Sequence, residues 1–432
     1  MTRVFRSGRG LFAGDRLPSS FPKDLSGAHT AAGNPAIKSC PESFWDGTDI
    51  DHRLMNRKNA GIFFATRPIA PPWNEGSKNL VYEIARRLDA FHATLLTYKN
   101  QDNFQIGPNK TFLRIYPRSD SLAISIRQKL AFLRTLIQSE AAIFHFFFTP
   151  ELITSHVIRS IRKFKKGVFL QTIPTPISHR RSIEKFVFGD KVVVQSQHAL
   201  RSFENRDIKN VSCIYPGIDT EKFCPGVSSA DLRKKLKISD RERVVLFPGN
   251  YYLGCNRSVT QAVSRLLKEG LGVKFILACR ISGPGDIKLK RSMLDDFERK
   301  NVRGDLVVLE TVESMPELIA LSDIVIFPPS QMVRKSDIPL VLLESLAMGK
   351  PIVITDIPPL NEIMMDDVGE KIQADNPDAL YEAVKSLLKD DGSGKEKGLR
   401  GREMVLKYFS IEQNVKEYEK LYHSLLSGKR ES

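Results

Sequence analysis

The chain is 432 residues long and carries a formal net charge of +15, with 65 Lys+Arg against 50 Asp+Glu. That length accommodates two or three domains, each large enough to bury its own core. Hydrophobic residues at 41% and charged residues at 27% exclude wholesale disorder. The charge is one-sided: residues 1–225 hold 33 Lys+Arg and 19 Asp+Glu, whereas residues 226–432 hold 32 and 31. The excess therefore predicts an anionic neighbour for the first half. No apolar run approaches the ~20 residues that cross a bilayer. The five cysteines, Cys40, Cys213, Cys224, Cys255 and Cys279, form no C-x-x-C and no Cys/His cluster. Such spacing fits reduced thiols rather than a disulfide frame or a zinc site.

In chain order, residues 1–57 lack periodicity and are rich in Gly, Pro, Ser and Asn, with Arg3, Arg6 and Arg9 preceding the first acid at Asp15. They read as a basic, disordered extension without the apolar stretch of a secretory signal. Residues 61–65 form a buried-strand run. Residues 77–88 place Leu80, Val81, Ile84, Ala85 and Leu88 at helical spacing. A strand at 92–98 follows. A helix over 121–138 carries Leu122, Ile126, Leu130, Leu133 and Ile137 on one face. Strands are predicted at 142–148, 167–172 and 191–195. The second half repeats the rhythm, with strands at 244–248, 273–279, 306–309, 324–327 and 352–355. Helices lie between them, at about 257–269, 288–300, 315–321 and 339–348. Alternating helices and continuous apolar strands imply parallel sheets covered on both faces. The expected organisation is an extension (1–57), two doubly wound α/β domains (58–225 and 226–410) and a C-terminal helix (411–432) packing back toward the first; the resemblance described below makes the first the acceptor and the second the donor domain. The ligand site of such a pair is the cleft at the carboxyl ends of the strands.

The most informative segment runs from Pro339 through Glu344 and Gly349 to Thr355. It reads as helix, glycine stop, strand, with Asp337 placed to cap the helix and Gly349 to end it. The open N–H groups of the first turn favour a phosphate. A carboxylate at Glu344 suits two sugar hydroxyls. The ordered blocks Val244–Gly249, Ser314–Ser330, Pro339–Thr355 and Ile357–Glu362, with Asp190–Ser196, Ile214–Phe223 and Pro71–Lys78 in the first half, resemble the family 4 (group 1) glycosyltransferases. The resemblance covers about residues 60–425. It implies an α/β protein of the GT-B fold, two doubly wound Rossmann-like domains with an interdomain cleft. It also implies a retaining transferase that takes its sugar from a nucleotide-sugar.

Carried over residue by residue, the resemblance places Glu344 on the nucleotide ribose and the diphosphate against Gly249 and the helix start at Pro339 and Leu340. The acceptor would lie near Gly76, with His145 and His179 on that side. The family's second acid, eight residues before the ribose glutamate, is here Ser336, between Lys335 and Asp337. Either Asp337 takes its place as the second catalytic acid, or the donor contact differs, or the site is inactive. The family's arginine after the glycine is here Asn250, which leaves Arg257 and Arg280 as candidate diphosphate cations. His145, inside an apolar strand, reads equally as a satisfied core histidine, and His179 as a surface residue. No metal-ligand cluster is visible, so neither metal nor cofactor is expected; the nucleotide-sugar is a substrate. Basic residues at Arg159–Lys166 and along the preceding helix suggest a cytoplasmic protein, peripheral at the inner face of a membrane, with a lipid-linked or glycan acceptor. Without stacking aromatics among them, nucleic acid is not an expected partner. The competing readings are a binding or scaffold protein on a degenerate transferase fold, or a GT-B sugar-nucleotide epimerase.

Overall fold

The computed structural model describes residues 61–71, 73, 75–99, 106–116, 125–175, 177, 182–281, 283–332, 335–365 and 367–428. The extension expected over 1–57 and the helix start expected at 121–124 lie outside the described residues. The first sheet contains β1 (Gly61–Ala65), β2 (His92–Tyr98), β3 (Lys110–Tyr116), β4 (Ile143–Phe147), β5 (Val168–Ile173), β6 (Lys191–Val194) and β7 (Val211–Cys213). Its order is β3-β2-β1-β4-β5-β6-β7. The second contains β8 (Arg243–Phe247), β9 (Val273–Ala278), β10 (Leu306–Leu309), β11 (Ile324–Phe327), β12 (Ile352–Thr355) and β13 (Gly369–Ile372), in the order β10-β9-β8-β11-β12-β13. Every pairing is parallel. Two Rossmann-like sheets of this kind leave their carboxyl ends for ligands.

The two-residue period of β1 explains its full burial. Ile62 and Phe64 enter one cluster, and Phe63 and Ala65 the cluster on the opposite face. The first face is covered by α1 (Gly76–Arg87), through Leu80, Val81 and Ile84, and by the last helix, α12 (Ile411–Ser427), through Ile411, Val415, Tyr418 and Tyr422. α12 thus closes over the first sheet from the far end of the chain. The opposite face is covered by α2 (Ile126–Gln138), through Leu136, and α3 (Leu152–Arg162), through Ile158.

On α2 the structure adds what the sequence reading left open, the direction in which the apolar stripe points. A capping box between Ser125 and Gln128 starts the helix, and Gln128 and Leu136 are its buried residues. Ile126, Leu130 and Ile137 point outward, 77%, 61% and 57% exposed. Periodicity shows that a helix has an apolar stripe; it does not say that the stripe faces the core.

α4 (Gln197–Glu204) connects β6 to β7 within the first sheet, and α5 (Ala230–Lys235) lies on the chain that leads from β7 to β8. The second sheet is flanked by α6 (Asn256–Lys268), α7 (Pro284–Arg299), α8 (Met315–Leu321), α9 (Leu340–Ala347), α10 (Pro377–Lys389) and α11 (Asp391–Tyr408). β3, β7, β13, α10 and α11 are absent from the sequence reading. α11 matters for the site because it seats the C-terminal end of α9. A Cβ on Gly398 would lie 1.9 Å from the Gly349 carbonyl oxygen, so α11 packs backbone against backbone there. Gly349 itself has φ +69°, the left-handed stop expected after α9.

Candidate functional site: a cleft between the two sheets

α9 leads from the segment after β11 into β12 and starts at Pro339, which is buried and provides no side-chain cap. The first turn holds no acid, so its amide groups keep their preference for an anion. Leu340, half-buried, faces the other half of the molecule: a Cβ on Gly76 would meet its side chain at 3.2 Å. Gly76 opens α1, which also lacks a side-chain cap and a first-turn acid. The starts of two helices, one from each sheet, therefore meet where the carboxyl ends of the strands converge.

Glu344 lies in the second turn of α9 and is half-buried. Among the described residues its carboxylate has no hydrogen-bond or ion-pair partner. Burial pushes its pKa up to about 7, and only the distant Lys222 ammonium pulls the other way. A carboxylate left in that state has unused acceptor capacity.

Asp337 is handled differently. It is 1% exposed, and the Ser196 hydroxyl donates to its Oδ2 at 2.6 Å. Its own backbone N–H donates to the Pro174 carbonyl at 3.1 Å. Burial raises its pKa to about 7, with the Ser196 bond opposing and Glu362 reinforcing the rise. It does not cap α9 as expected. Its side chain instead fastens the segment before α9 to the N-terminus of α4, where Ser196 also accepts from the Ala199 N–H at 3.0 Å. Oδ1 keeps no partner. Ser336 beside it is half-buried.

Glu362 makes a second fastening. It accepts from the Gln197 and His198 N–H groups at 2.9 and 2.6 Å and from the Tyr215 hydroxyl at 2.8 Å. A carboxylate at the start of α4 also suits the helix dipole.

The cations converge from both sheets. Lys335 has its pKa lowered to about 8, first by burial and then by Arg280. It lies 5.5 Å from the Phe327 ring centroid. Arg280 follows β9, and its backbone bridges that of Asn250 after β8, tying the two loops together. Asn250 is buried. Gly249 admits the Phe247 ring, which a Cβ would meet at 2.8 Å. Arg257 stands exposed in the first turn of α6. From the first sheet comes Lys78, 8% exposed, whose ammonium donates to the Ala70 carbonyl at 2.8 Å. Its pKa is lowered by burial; Glu75 opposes this, and Arg67 and Arg280 add to it. Like charges that depress one another mark a place where an anion is stabilised.

His145 is a correction to the acceptor side. It is fully buried, with Nδ1 2.8 Å from the Tyr422 hydroxyl and Nε2 2.7 Å from the Thr172 hydroxyl. Burial lowers its pKa to about 3. Both ring nitrogens are used in seating α12, so nothing is left for a substrate. His179 lies outside the described residues. The structure thus brings Gly76 against Leu340, at the start of the helix that carries Glu344, and bridges Arg280 to Asn250 within electrostatic reach of Lys335 and Lys78. Lys78, Ser196 and Glu362 were missed by sequence reading. Lys78 had a signal, since it shares the face of α1 that holds Val81 and Ala85, where a lysine is out of place.

Residues 242–390 match the family model described as "Glycosyl transferases group 1". N-acetyl-alpha-D-glucosaminyl L-malate synthase of Bacillus anthracis is 24% identical over 220 residues, 50% of this chain and 55% of that protein. The lipopolysaccharide core biosynthesis mannosyltransferase LpsB of Rhizobium meliloti is 23% identical over 286 residues, 64% of this chain and 77% of that one. The chain spans about half the length of the first two curated relatives, 55% and 48%. Among solved structures, sucrose-phosphate synthase of Thermosynechococcus elongatus superposes with TM-score 0.68 at 16% identity, covering 85% of this chain and 99% of that one. Anabaena HepE in complex with UDP and glucose gives 0.66 at 14%, covering 84% and 99%. The second half of the chain is thus similar to the group 1 glycosyltransferases, and the two-sheet architecture is the GT-B fold of the solved neighbours.

Proposed function

We propose that the chain is a retaining glycosyltransferase that moves a sugar from a nucleotide-sugar donor to a lipid-linked or glycan acceptor at a membrane surface. The observation that carries this reading is Glu344: a carboxylate without a partner among the described residues, on a helix whose uncapped start faces the other sheet. In this reading Glu344 accepts the ribose hydroxyls. The N–H groups at the start of α9 hold the diphosphate with Lys335, Arg280 and Arg257. Those cations neutralise charge on the leaving diphosphate, which is the main electrostatic task of such a transfer. Neither a metal nor a cofactor is required for it. The acceptor enters from the Gly76 side. The names of two matched proteins support the chemistry: LpsB acts in lipopolysaccharide core biosynthesis, and HepE is seen with UDP and glucose. The work would be done in the cytoplasm, at the inner face of the membrane. No helix among the described residues is long and apolar enough to cross a membrane.

Thermal-shift titration with UDP-, GDP- and ADP-sugars tests the reading, repeated on Glu344→Ala. One nucleotide class is expected to raise Tm in the wild type and not in the variant. Absence of a shift with all three would overturn it. A second reading, a nucleotide-binding protein without turnover, is favoured by one feature. Ser336 stands where the family has an acid, and Asp337 beside it is occupied by Ser196. That reading predicts a thermal shift but no release of nucleoside diphosphate with any acceptor.

A further inference from the structure

The outer side of the first sheet presents two apolar stripes to solvent. On α2 they are Ile126, Leu130 and Ile137, spaced at about one and then two helical turns. On α3 and just beyond it they are Ile153, Val157 and Phe164, which are 80%, 36% and 89% exposed. The two helices cover the same face of the sheet, and the Lys165 ammonium ties their ends together by donating to the Ile137 carbonyl at 2.6 Å. Helices with an apolar stripe turned outward mark a contact surface.

The charges around the stripes identify what touches it. Residues 125–166 contain eight Lys and Arg but only two acids, Glu140 and Glu151. Arg159 and Arg162 are turned inward, to the carbonyls of Val187 and Phe188 at 2.7 and 3.0 Å. The side chains of Arg127, Lys129, Arg134, Lys163 and Lys166 have no partner among the described residues. A second copy of the chain would bring the same cations to this face and be repelled. The extension over residues 1–57 holds eight Lys and Arg against six acids and so brings no net negative charge to this face. Nucleic acid would meet cations but would leave the aliphatic stripes uncovered, with Phe164 alone to stack on a base. An anionic bilayer satisfies both features, because apolar side chains enter the headgroup boundary while Lys and Arg remain at the phosphates.

We infer that the α2–α3 face docks the protein on an anionic lipid bilayer, with Ile153 and Phe164 entering the headgroup region. The inference rests on the membrane-surface part of the proposed function and gives that part a specific surface. Each cation near an anionic leaflet multiplies partitioning by about fivefold, an effect that salt removes.

The test is flotation of the full chain with vesicles of phosphatidylcholine alone and of phosphatidylcholine with phosphatidylglycerol, at low and high salt. The wild type is expected to float with the anionic vesicles at low salt, and less at high salt. The double variant Ile153→Asp/Phe164→Asp is expected to lose tenfold or more of that binding with an unchanged Tm, and Lys163→Glu/Lys166→Glu to lose the preference for anionic lipid. Equal binding by either double variant and the wild type, equal binding to neutral vesicles, or no flotation would each overturn the inference. So would a shift from dimer to monomer in Ile153→Asp/Phe164→Asp, or displacement of the vesicles by nucleic acid. The nucleotide thermal shift is measured on the same samples. Vesicle binding without a nucleotide shift would sink the transferase reading and leave the docking face standing; the reverse result would do the opposite.

Discussion

Asp337 and Glu344 belong to one short segment, and burial raises both carboxyls to about 7. Their surroundings nevertheless give them opposite tasks. Asp337 is closed off by Ser196 and holds the two halves of the molecule together. Glu344, one turn further along α9 than the Leu340 that meets Gly76, is left without a partner among the described residues. Burial alone therefore does not identify a ligand-binding acid. The distinction lies in whether the protein has already filled the acceptor positions. A similar contrast separates Lys78, committed to the Ala70 carbonyl, from Arg257, exposed at the start of α6.

Substitutions at these positions can break or sharpen the contrast. The largest effect is expected from Glu344→Gln, which should weaken nucleotide binding about a hundredfold, or ~3 kcal/mol, by removing a charged acceptor. Titration calorimetry with the stabilising nucleotide checks it, and unchanged affinity would place Glu344 with the purely structural acids. Next comes Lys335. Its pKa of about 8 means that nucleotide affinity should fall as pH rises through 8 to 9, because the ammonium is lost there. Lys335→Arg should keep its affinity across that range. A pH-independent wild type would remove Lys335 from the diphosphate site.

Ser196→Ala should act on the other member of the comparison. It deletes the bond to Asp337 and the cap of α4 together, costing about 1–3 kcal/mol of stability in urea unfolding. Nucleotide affinity should change less than threefold. A large loss of affinity with intact stability would instead return Asp337 to the donor site.

The smallest effect concerns pH and stability. A carboxyl whose pKa is raised on folding binds its proton more tightly in the native state. Between the ordinary value of 4.5 and about 7 the unfolded chain therefore holds fewer protons, and stability falls as pH rises. Glu344 and Asp337 both act in this direction. Glu344→Gln should flatten that decline by about 1–2 kcal/mol, solvent access to the half-buried group reducing the full effect. A variant curve parallel to the wild type would show that Glu344 is not desolvated in solution.

Much of the fold was legible because buried parallel strands such as Ile62–Ala65 and Val325–Phe327 are continuous apolar runs. β3, with Lys110, Thr111 and Arg114 in its run, and the short β13, Gly369–Ile372, lack that signature and were missed. α11 was hidden by its glycines, of which Gly398 lets it touch Gly349 and Gly401 makes room for Leu346. Glu344 stands out in the sequence because a lone acid in an apolar helix is conspicuous. The roles of Asp337 and His145 could not be read from sequence, since their partners Ser196, Tyr422 and Thr172 are distant in the chain and only the fold brings them together. The α2 stripe was legible as a stripe, but its outward direction depends on how the helix seats on the sheet through Leu136 and Gln128.

The most direct test is a structure with the stabilising nucleotide-sugar bound. The account predicts both ribose hydroxyls within hydrogen-bond distance of the Glu344 carboxylate, about 2.6–3.2 Å, with Lys335 and Arg280 on the diphosphate and Asp337 still held by Ser196. A nucleotide bound with Glu344 unengaged, or with Asp337 released from Ser196 and facing the sugar, would contradict it.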